Sequence, residues 1–304
     1  MRADVVSDQN PGVKGEVWAV QFSSGLVDGE AKEYVFIYDE EFGGGRYKLS
    51  ELDWDIKRVV MVGGNLTLRD GRGTINAGYW KALTAGDGGH IEDYDWLDPT
   101  TSKWTEYSDS SADVDDATLV DINGGWEFVQ DFYGLTARVL VGYKMDDWKW
   151  SANGGYALYS DFDYVPYYFE DETICKYKQE LSMPYLGGSA DWKLGGFVLA
   201  AYCTFSPFVE GNTTDNHLLR SLKITDHFKD GDMLAAGASA KYAWKSGWFF
   251  TVALDYQVID LAIGDAGYHQ KYEKYDLLYY EQFENYAGME NEYLSLSFGV
   301  GKSF

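Results

Sequence analysis

Two short segments of the sequence carry residue types that can activate water. The first, residues 88–98, contains Asp93 and Asp95, and the second contains Asp215 and His217. In extended chain, residues two apart project to the same face, so each pair points in one direction. Asp215 could fix the tautomer of His217 while the imidazole removes a proton from water held by Asp93 and Asp95. This chemistry hydrolyses a peptide bond without a protein nucleophile, and two close acids would share a proton.

Spacing alone does not identify such a site. The chain has 49 acidic residues, so an Asp-x-Asp sequence arises easily, and acids in connecting segments are usually just solvated. A calcium site is another interpretation, but the ligand spacing and central glycine of an EF-hand loop are missing. The elements that position the two segments must therefore be considered.

Much of the chain alternates with a period of two. In residues 248–258 and 294–304 every second residue is apolar, apart from Lys302 near the end, and the residues between are mostly small or polar. This pattern predicts strands with one apolar face. The second faces hold Gly, Ser, Thr, Asn and isolated charges, whereas a soluble sandwich would expose a charged face, so the pattern favours a membrane barrel. The same alternation occurs in residues 60–68, 75–79, 120–128, 135–143 and 197–205.

The connections between these strands have two lengths. Tight turns are predicted at 70–73, 130–134, 191–195 and 245–247, and long acidic stretches lie near 25–53, 85–117, 147–176, 210–226 and 262–288. Four short and five long connections give ten strands. Short turns of such barrels face the periplasm and long loops face outward, which places both candidate segments at one extracellular rim. The sequence thus predicts an all-β, ten-stranded antiparallel transmembrane barrel over residues 15–304, preceded by a polar segment, residues 1–14.

Charge and hydropathy limit the partners and the location. The net charge of −24, from 25 basic and 49 acidic residues, disfavours nucleic acid and favours cationic partners. No run of 18 apolar residues occurs, which excludes a transmembrane helix. Residues 1–14 lack the apolar core of a secretion signal, and we expect that an initiator Met has replaced that signal.

Cys175 and Cys203 are the only cysteines, too few for a disulfide scaffold, and they lack a metal-binding spacing. If the chain turns near Lys193, Cys203 lies opposite the neighbourhood of Met183, roughly 26 Å from Cys175 at ~3.3 Å per residue. We therefore expect no disulfide between them.

Several blocks of the sequence, among them those that contain Asp93, Asp95, Asp215 and His217, match a known family. Over residues 52–304 the sequence resembles the omptins, outer-membrane endopeptidases of Gram-negative bacteria. The resemblance implies that Asp93 and Asp95 are the aspartate couple of that family, and that Asp215 and His217 are its histidine dyad. No metal or cofactor is expected. The matching blocks are Leu52-Asp53-Trp54, residues 88–98, Trp104-Thr105-Glu106, Gly142-Tyr143, Ser151-Ala152-Asn153-Gly154-Gly155-Tyr156, Tyr177-Lys178-Gln179, Met183-Pro184-Tyr185, Gly195-Gly196 and Asp215-Asn216-His217.

The resemblance also implies a substrate pocket that contains Glu33, Ile91 and Thr213 and takes basic residues of a peptide. Thr213 stands where the family has a second acidic residue. With one carboxylate of two lost, selection for Arg or Lys should weaken, although the acidic rim could still attract cationic peptides.

Omptins need lipopolysaccharide and bind it through a tyrosine, a glutamate, two arginines and a lysine. The matching positions here are Tyr143, Met145, Asp147, Glu180 and Lys229, so both arginines are replaced by acids. A guanidinium is the group that binds phosphate in a bidentate manner. We therefore expect a protein that works without lipopolysaccharide or binds a different outer-membrane lipid.

Three functions are compatible with such a barrel. The predicted one is an outer-membrane endopeptidase for cationic peptides, with its site facing the cell exterior. An adhesin or receptor with acidic loops is the main alternative, and the presence of all four site residues argues against it. A passive pore is disfavoured because ten strands enclose little more than packed side chains.

Overall fold

The computed structural model describes residues 17–38, 44–83, 88–272 and 277–304, so the expected polar segment 1–14 lies outside the described residues. No helix in these ranges is long and apolar enough to cross a membrane. The strands are β1 (Val17–Tyr38), β2 (Arg46–Asp70), β3 (Gly73–Ala82), β4 (Gly89–Asp95), β5 (Glu106–Phe132), β6 (Leu135–Tyr159), β7 (Tyr167–Tyr168), β8 (Thr173–Leu194), β9 (Phe197–His217), β10 (Leu222–Ala243), β11 (Trp248–Tyr272) and β12 (Leu277–Ser303).

These strands form a closed antiparallel ring. β3 and β4 lie end to end between β2 and β5 and act as one strand, and the two-residue β7 only extends the edge of β6. Ten strands therefore go round the barrel, as predicted. The first and last strands pair from Ala19 with Ser303 to Val35 with Ala287, which closes the ring. Closure leaves no unpaired strand edge in lipid, where each unsatisfied backbone group is costly.

The predicted alternation is confirmed on the outer and inner faces. On β11, Trp248, Phe250 and Leu254 are exposed outside, while Thr251 and Gln257 are buried inside. The apolar outer band ends part-way along each strand. On β1, for example, the outward positions change from Leu26 to Asp28 and Glu30. The barrel thus has a membrane-spanning part and a part that projects beyond it.

The long connections contain far more strand than the sequence pattern indicated. β1 continues to Tyr38 and β2 begins at Arg46, so most of the acidic stretch 25–53 is sheet. These extensions have no apolar outer face, so period-two hydropathy did not reveal them. Their inner face packs a buried aromatic cluster that includes Trp54, Trp150 and Tyr177. The projecting part is therefore largely continuous sheet rather than a set of loops.

Both cysteines are free. The predicted register was wrong by several residues, because the chain turns between Leu194 and Phe197 rather than near Lys193. Cys203 consequently lies opposite Gly188 instead of Met183, and Cys175 lies opposite His217.

A buried ionic cluster fills the barrel near its short turns. The guanidinium of Arg138 donates to Glu127 from Nε at 3.1 Å and from Nη2 at 2.9 Å, and Nη1 donates to Asp191. Arg69 adds a further contact of 3.1 Å to Glu127. Arg138 and Glu127 are almost wholly buried, so the fixed positive charge compensates two carboxylates that lack bulk water.

Replacing Arg138 by Met should destabilise the barrel by about 3–5 kcal/mol, because the change removes the buried cation that contacts both Glu127 and Asp191, and the contact of Arg69 compensates Glu127 only. The denaturation midpoint of detergent-refolded protein measures this effect. Lys245→Met, at an exposed turn, removes the same charge and should leave the midpoint in place. Equal midpoints for the two variants would contradict the assigned role of Arg138.

Candidate functional site

The strand register brings the two predicted pairs to one cleft. Asp93 and Asp95 lie on β4, and Asp215 and His217 lie at the end of β9, with β5, β6 and β8 between them around the ring. A cleft of about 250 Å³ at the projecting end is lined by Asp93, Asp95, His217 and Ile91. Three of the four residues that the sequence analysis selected therefore face a common space, and the fourth, Asp215, is buried beside His217.

Asp215 holds the imidazole of His217 from inside the wall. Asp215 is 1% exposed, and its Oδ2 lies 2.6 Å from His217 Nε2, within ion-pair distance, although the N–H is not directed squarely at that oxygen. On the other side of the ring, Arg220 Nη2 donates to Nδ1 at 2.9 Å. Because a guanidinium has only donors, Nδ1 must be the acceptor and Nε2 carries the proton.

The aspartate couple is partly buried and retains protons readily. Burial, followed by the charge of Asp95, raises the pKa of Asp93 well above its ordinary value, while Arg220 opposes the shift. Burial also raises the pKa of Asp95, against the effects of Ser50 and Arg220. Ser50 Oγ donates to Asp93 Oδ1 at 3.3 Å. Two neighbouring acids in this setting share a proton rather than ionise together.

Two residues of the cleft were missed by the sequence analysis. Arg220 lies between the two pairs, and its charge reaches Asp93, Asp95 and Glu106. Arg220 lies only three residues after His217 in the sequence, and this short spacing was the signal that could have indicated a place in the same cleft. Cys175 lines the cleft from β8, where only the strand register places it opposite His217.

A cluster of buried acids, termed the acidic pocket below, adjoins the dyad. Glu33 on β1 is 2% exposed, and Thr213 on β9 is 3% exposed. Asp226 on β10 is the cross-strand partner of Thr213 and accepts a hydrogen bond of 2.8 Å from its hydroxyl. Asp226 was missed because position 213 was considered alone, without its neighbour in the next strand. The carboxylate of Asp226 therefore lies beside Thr213, the position at which the family has a second acidic residue.

Neither acid of this pocket has a cationic partner among the described residues. Glu33 Oε2 and Asp226 Oδ1 are buried and accept no hydrogen bond. Burial is the main cause that raises the pKa of Glu33 well above its ordinary value and the pKa of Asp226 to about 7, and Asp215 adds to both shifts. Tyr177 and Tyr268 lie within the field of both acids. The acidic pocket thus combines neighbouring tyrosines with two acids that lack a cationic partner among the described residues.

The positions matched to lipopolysaccharide binding lie on the outer face, with the predicted parity. Tyr143 and Met145 are exposed on β6, and Asp147 lies opposite Glu180 of β8. Lys178 contacts the two carboxylates, at 3.6 Å from Asp147 and 2.6 Å from Glu180. The positive charge of Lys178 is therefore already compensated by Asp147 and Glu180. Lys229 is exposed on β10.

Comparison with known proteins gives a consistent result. The family model described as the Omptin family matches residues 16–304. Plasminogen activator of Yersinia pestis is 32% identical over 219 residues, which cover 71% of this chain and 68% of that protein. Protease 7 of Escherichia coli (strain K12) is 29% identical over 231 residues, covering 72% and 70%.

The fold has a close counterpart among solved structures. The crystal structure of the outer membrane protease OmpT from Escherichia coli superposes with a TM-score of 0.86 at 22% identity, over 95% of this chain and 97% of that one. Fold and relatives together define a protease of the bacterial outer membrane, a hydrolase with a peptide or protein substrate. The chain belongs to the Omptin family.

Proposed function

We propose that this protein is an endopeptidase that uses water as its nucleophile. Asp93 and Asp95 hold the water, and His217, oriented by Asp215, removes its proton. The observation that carries this proposal is the cleft itself, where a partly buried Asp couple faces an imidazole 2.6 Å from a buried carboxylate. This is the aspartyl endopeptidase mechanism that the resemblance implied.

The contacts of His217 define the order of events. Arg220 must first leave Nδ1, because a nitrogen that accepts from a guanidinium cannot also accept from water. Nδ1 then takes the proton as the water oxygen attacks the peptide carbonyl carbon, and Asp215 stabilises the imidazolium. The proton shared by Asp93 and Asp95 can be donated to the developing oxyanion. His217 finally gives its proton to the amine nitrogen as the carbon–nitrogen bond breaks, and the carboxylic acid that forms returns the other proton to the Asp93–Asp95 couple.

Cys175 is not the nucleophile in this mechanism. Its thiol donates to Asp215 Oδ1 at 2.6 Å, so the hydrogen is directed at a carboxylate and not at the imidazole. Burial and the charge of Asp215 raise the pKa of the thiol far above its ordinary value. The reactive form of cysteine is the thiolate, which this environment disfavours. Attack by water is therefore favoured over a covalent intermediate.

The substrate class follows from the acidic pocket. A basic side chain would supply the cation that Glu33 and Asp226 lack, and its aliphatic stem would lie against tyrosine rings. Because position 213 is Thr, β9 lacks the acidic residue that the family has there. The Thr213 hydroxyl nevertheless donates a hydrogen bond to Asp226 on β10 and orients that carboxylate. We therefore infer that the protein selects Arg or Lys at the cleavage site despite the substitution at position 213.

His217→Ala and Asp93→Ala should each lower cleavage of a quenched Arg-rich peptide by about 10²–10⁴-fold, because each removes a proton-transfer or water-holding group. The chain offers a matched control in His90, whose Nδ1 lies 2.8 Å from Asp109 at an exposed position. His90→Ala should cleave at the native rate. Native-rate cleavage by the first two variants would remove them from the site, and no cleavage by native protein across peptide libraries would favour the adhesin.

Asp226→Asn should lower kcat/KM for a peptide with Arg at the cleavage site by about tenfold to hundredfold, relative to the same peptide with Leu. The reason is the loss of one charge-assisted contact. Because a carboxyl group with a pKa of about 7 gains charge as pH rises, native preference for Arg should increase through that pH and be flatter in the variant.

Asp232→Asn, which changes an exposed acid on the same strand, is the control for Asp226 and should keep the native Arg-to-Leu ratio. An unchanged ratio in Asp226→Asn would show that this carboxylate does not contact the substrate. A loss of cleavage of both peptides to the same extent would instead indicate damage to the catalytic groups.

The same proposal includes activity without lipopolysaccharide. Outside the barrel, Lys81, Lys149 and Lys178 alternate with Asp116, Asp147 and Glu180 at ion-pair distances of 2.5–3.9 Å. Three positive and three negative groups give this row no net attraction for phosphate.

Detergent-refolded protein should cleave peptide at the same rate with and without added lipopolysaccharide. The variant Asp147→Arg/Glu180→Arg, which introduces the two guanidinium groups, should respond to the lipid, because bidentate phosphate contacts become possible. Strict dependence of the native protein on lipopolysaccharide in this assay would contradict the proposal.

A further inference from the structure

The cleft contains a cation that covers the proposed base. Arg220 Nη2 donates to His217 Nδ1 at 2.9 Å, and Nδ1 is the nitrogen that takes the proton of water in the proposed reaction. Asp215 faces the other ring nitrogen at 2.6 Å. Among the described residues, the guanidinium has this one hydrogen bond and no ion pair. In a chain with 49 acidic residues, this cation is thus paired with an imidazole instead of a carboxylate.

Only the side chain of Arg220 has to move to uncover the base. Arg220 ends a short 3₁₀ helix, Leu218–Arg220, in which no residue is buried. The backbone there is fastened to β11, because Gln270 Nε2 donates to the Arg220 carbonyl at 2.7 Å and the Lys271 N–H donates to the Ser221 carbonyl at 3.2 Å. The guanidinium can therefore leave by rotation of its own side chain while the backbone stays in place.

Glu106 provides a second position for that guanidinium. Glu106 and Arg220 line the same cleft, and Glu106 lies opposite Asp95 in the neighbouring strand. Burial and Asp95 raise the pKa of the Glu106 carboxyl, and the charge of Arg220 opposes this shift. No hydrogen bond or ion pair engages the Glu106 side chain within the described part of the chain. Asp93 and Asp95 hold the water in the proposed reaction, so Glu106 is the acid that can take the guanidinium without displacing that water.

We propose that Arg220 switches the protease between two states by moving from His217 to Glu106. On His217 the guanidinium closes the base to water, and on Glu106 it leaves Nδ1 open. Glu106 is then a positioning residue, because it acts on the imidazole only through Arg220. The effect of the switch on cleavage rests on the proposed function, while the contact between Arg220 and His217 does not.

The first test measures whether Nδ1 is covered and needs no cleavage. Diethyl pyrocarbonate acylates the unprotonated ring nitrogen of histidine, and mass spectrometry of the digested protein gives the rate at each histidine. We expect His217 to react about tenfold faster in Arg220→Met, which keeps an unbranched stem and removes every donor. His90 is exposed and should react at one rate in both proteins, which makes it an internal control. Equal rates at His217 would overturn the proposal.

The second test measures the switch through kcat/KM for a quenched Arg-rich peptide. Arg220→Met should cleave about tenfold faster than native protein, because the base is then always open. Glu106→Gln, which keeps the shape of the side chain, should cleave about tenfold more slowly, because the second position loses its charge. In the Arg220→Met background the same change at Glu106 should have no such effect. A merely structural role of Glu106 would lower both rates alike, so equal losses in the two backgrounds would contradict the proposal.

Lys223 controls for the loss of a positive charge, which by itself strengthens the attraction of the acidic rim for a cationic peptide. Lys223 is exposed on β10, and Lys223→Met should cleave at close to the native rate. A gain as large as that of Arg220→Met would contradict the proposal. Slower cleavage by Arg220→Met would overturn it, because the guanidinium would then support the reaction. If no protein cleaves peptide, the proposed function fails, and the acylation rates still decide whether Arg220 covers His217.

Discussion

The structure depends on the closure of its backbone hydrogen bonds into a ring. A backbone polar group without a partner in hydrocarbon costs several kcal/mol, so every strand in the membrane must pair on both sides. The pairing of β1 with β12 meets this requirement and fixes the register around the barrel. The same ladders continue above the apolar band, where they align Cys175 with His217 and Thr213 with Asp226. The membrane constraint thus determines which side chains meet at the site.

A closed ring also has an interior that must be filled. Near the short turns this is achieved by the compensated charges around Arg138. Beneath the cleft it is achieved by aromatic rings, with Trp54 stacked on Tyr177 at 5.2 Å and Trp150 donating from Nε1 to the Asp55 carbonyl at 3.1 Å. Trp54, Trp150 and Tyr177 are all almost wholly buried. Because aromatic rings solvate a carboxylate poorly, burial is the largest cause of the raised pKa values of Glu33 and Asp93.

Sequence patterns predicted the part of the barrel that lipid constrains and the residues whose types are chemically distinctive. Period-two apolarity exists only where one strand face meets lipid, so the strands were visible in the membrane and the extension of β1 to Tyr38 was not. Asp93, Asp95, Asp215 and His217 could be placed at one rim because the connection lengths alternate. Asp226 and Cys175 could not be recognised, since their roles depend on cross-strand register. One misplaced turn shifted that register by several residues.

Electrostatics connects the acidic pocket to the proposed chemistry. Asp215 and Asp93 both raise the pKa of Glu33, and Asp215 also raises that of Asp226, so the acids of the pocket and of the cleft repel one another. Among the described residues no cation pairs with Glu33 or Asp226, so these two acids and Asp93 do not all ionise together. A basic side chain between Glu33 and Asp226 would neutralise this repulsion and favour the ionised forms of both acids. Cation binding and ionisation of the two acids would then be linked, so part of the free energy of binding would be used to ionise them.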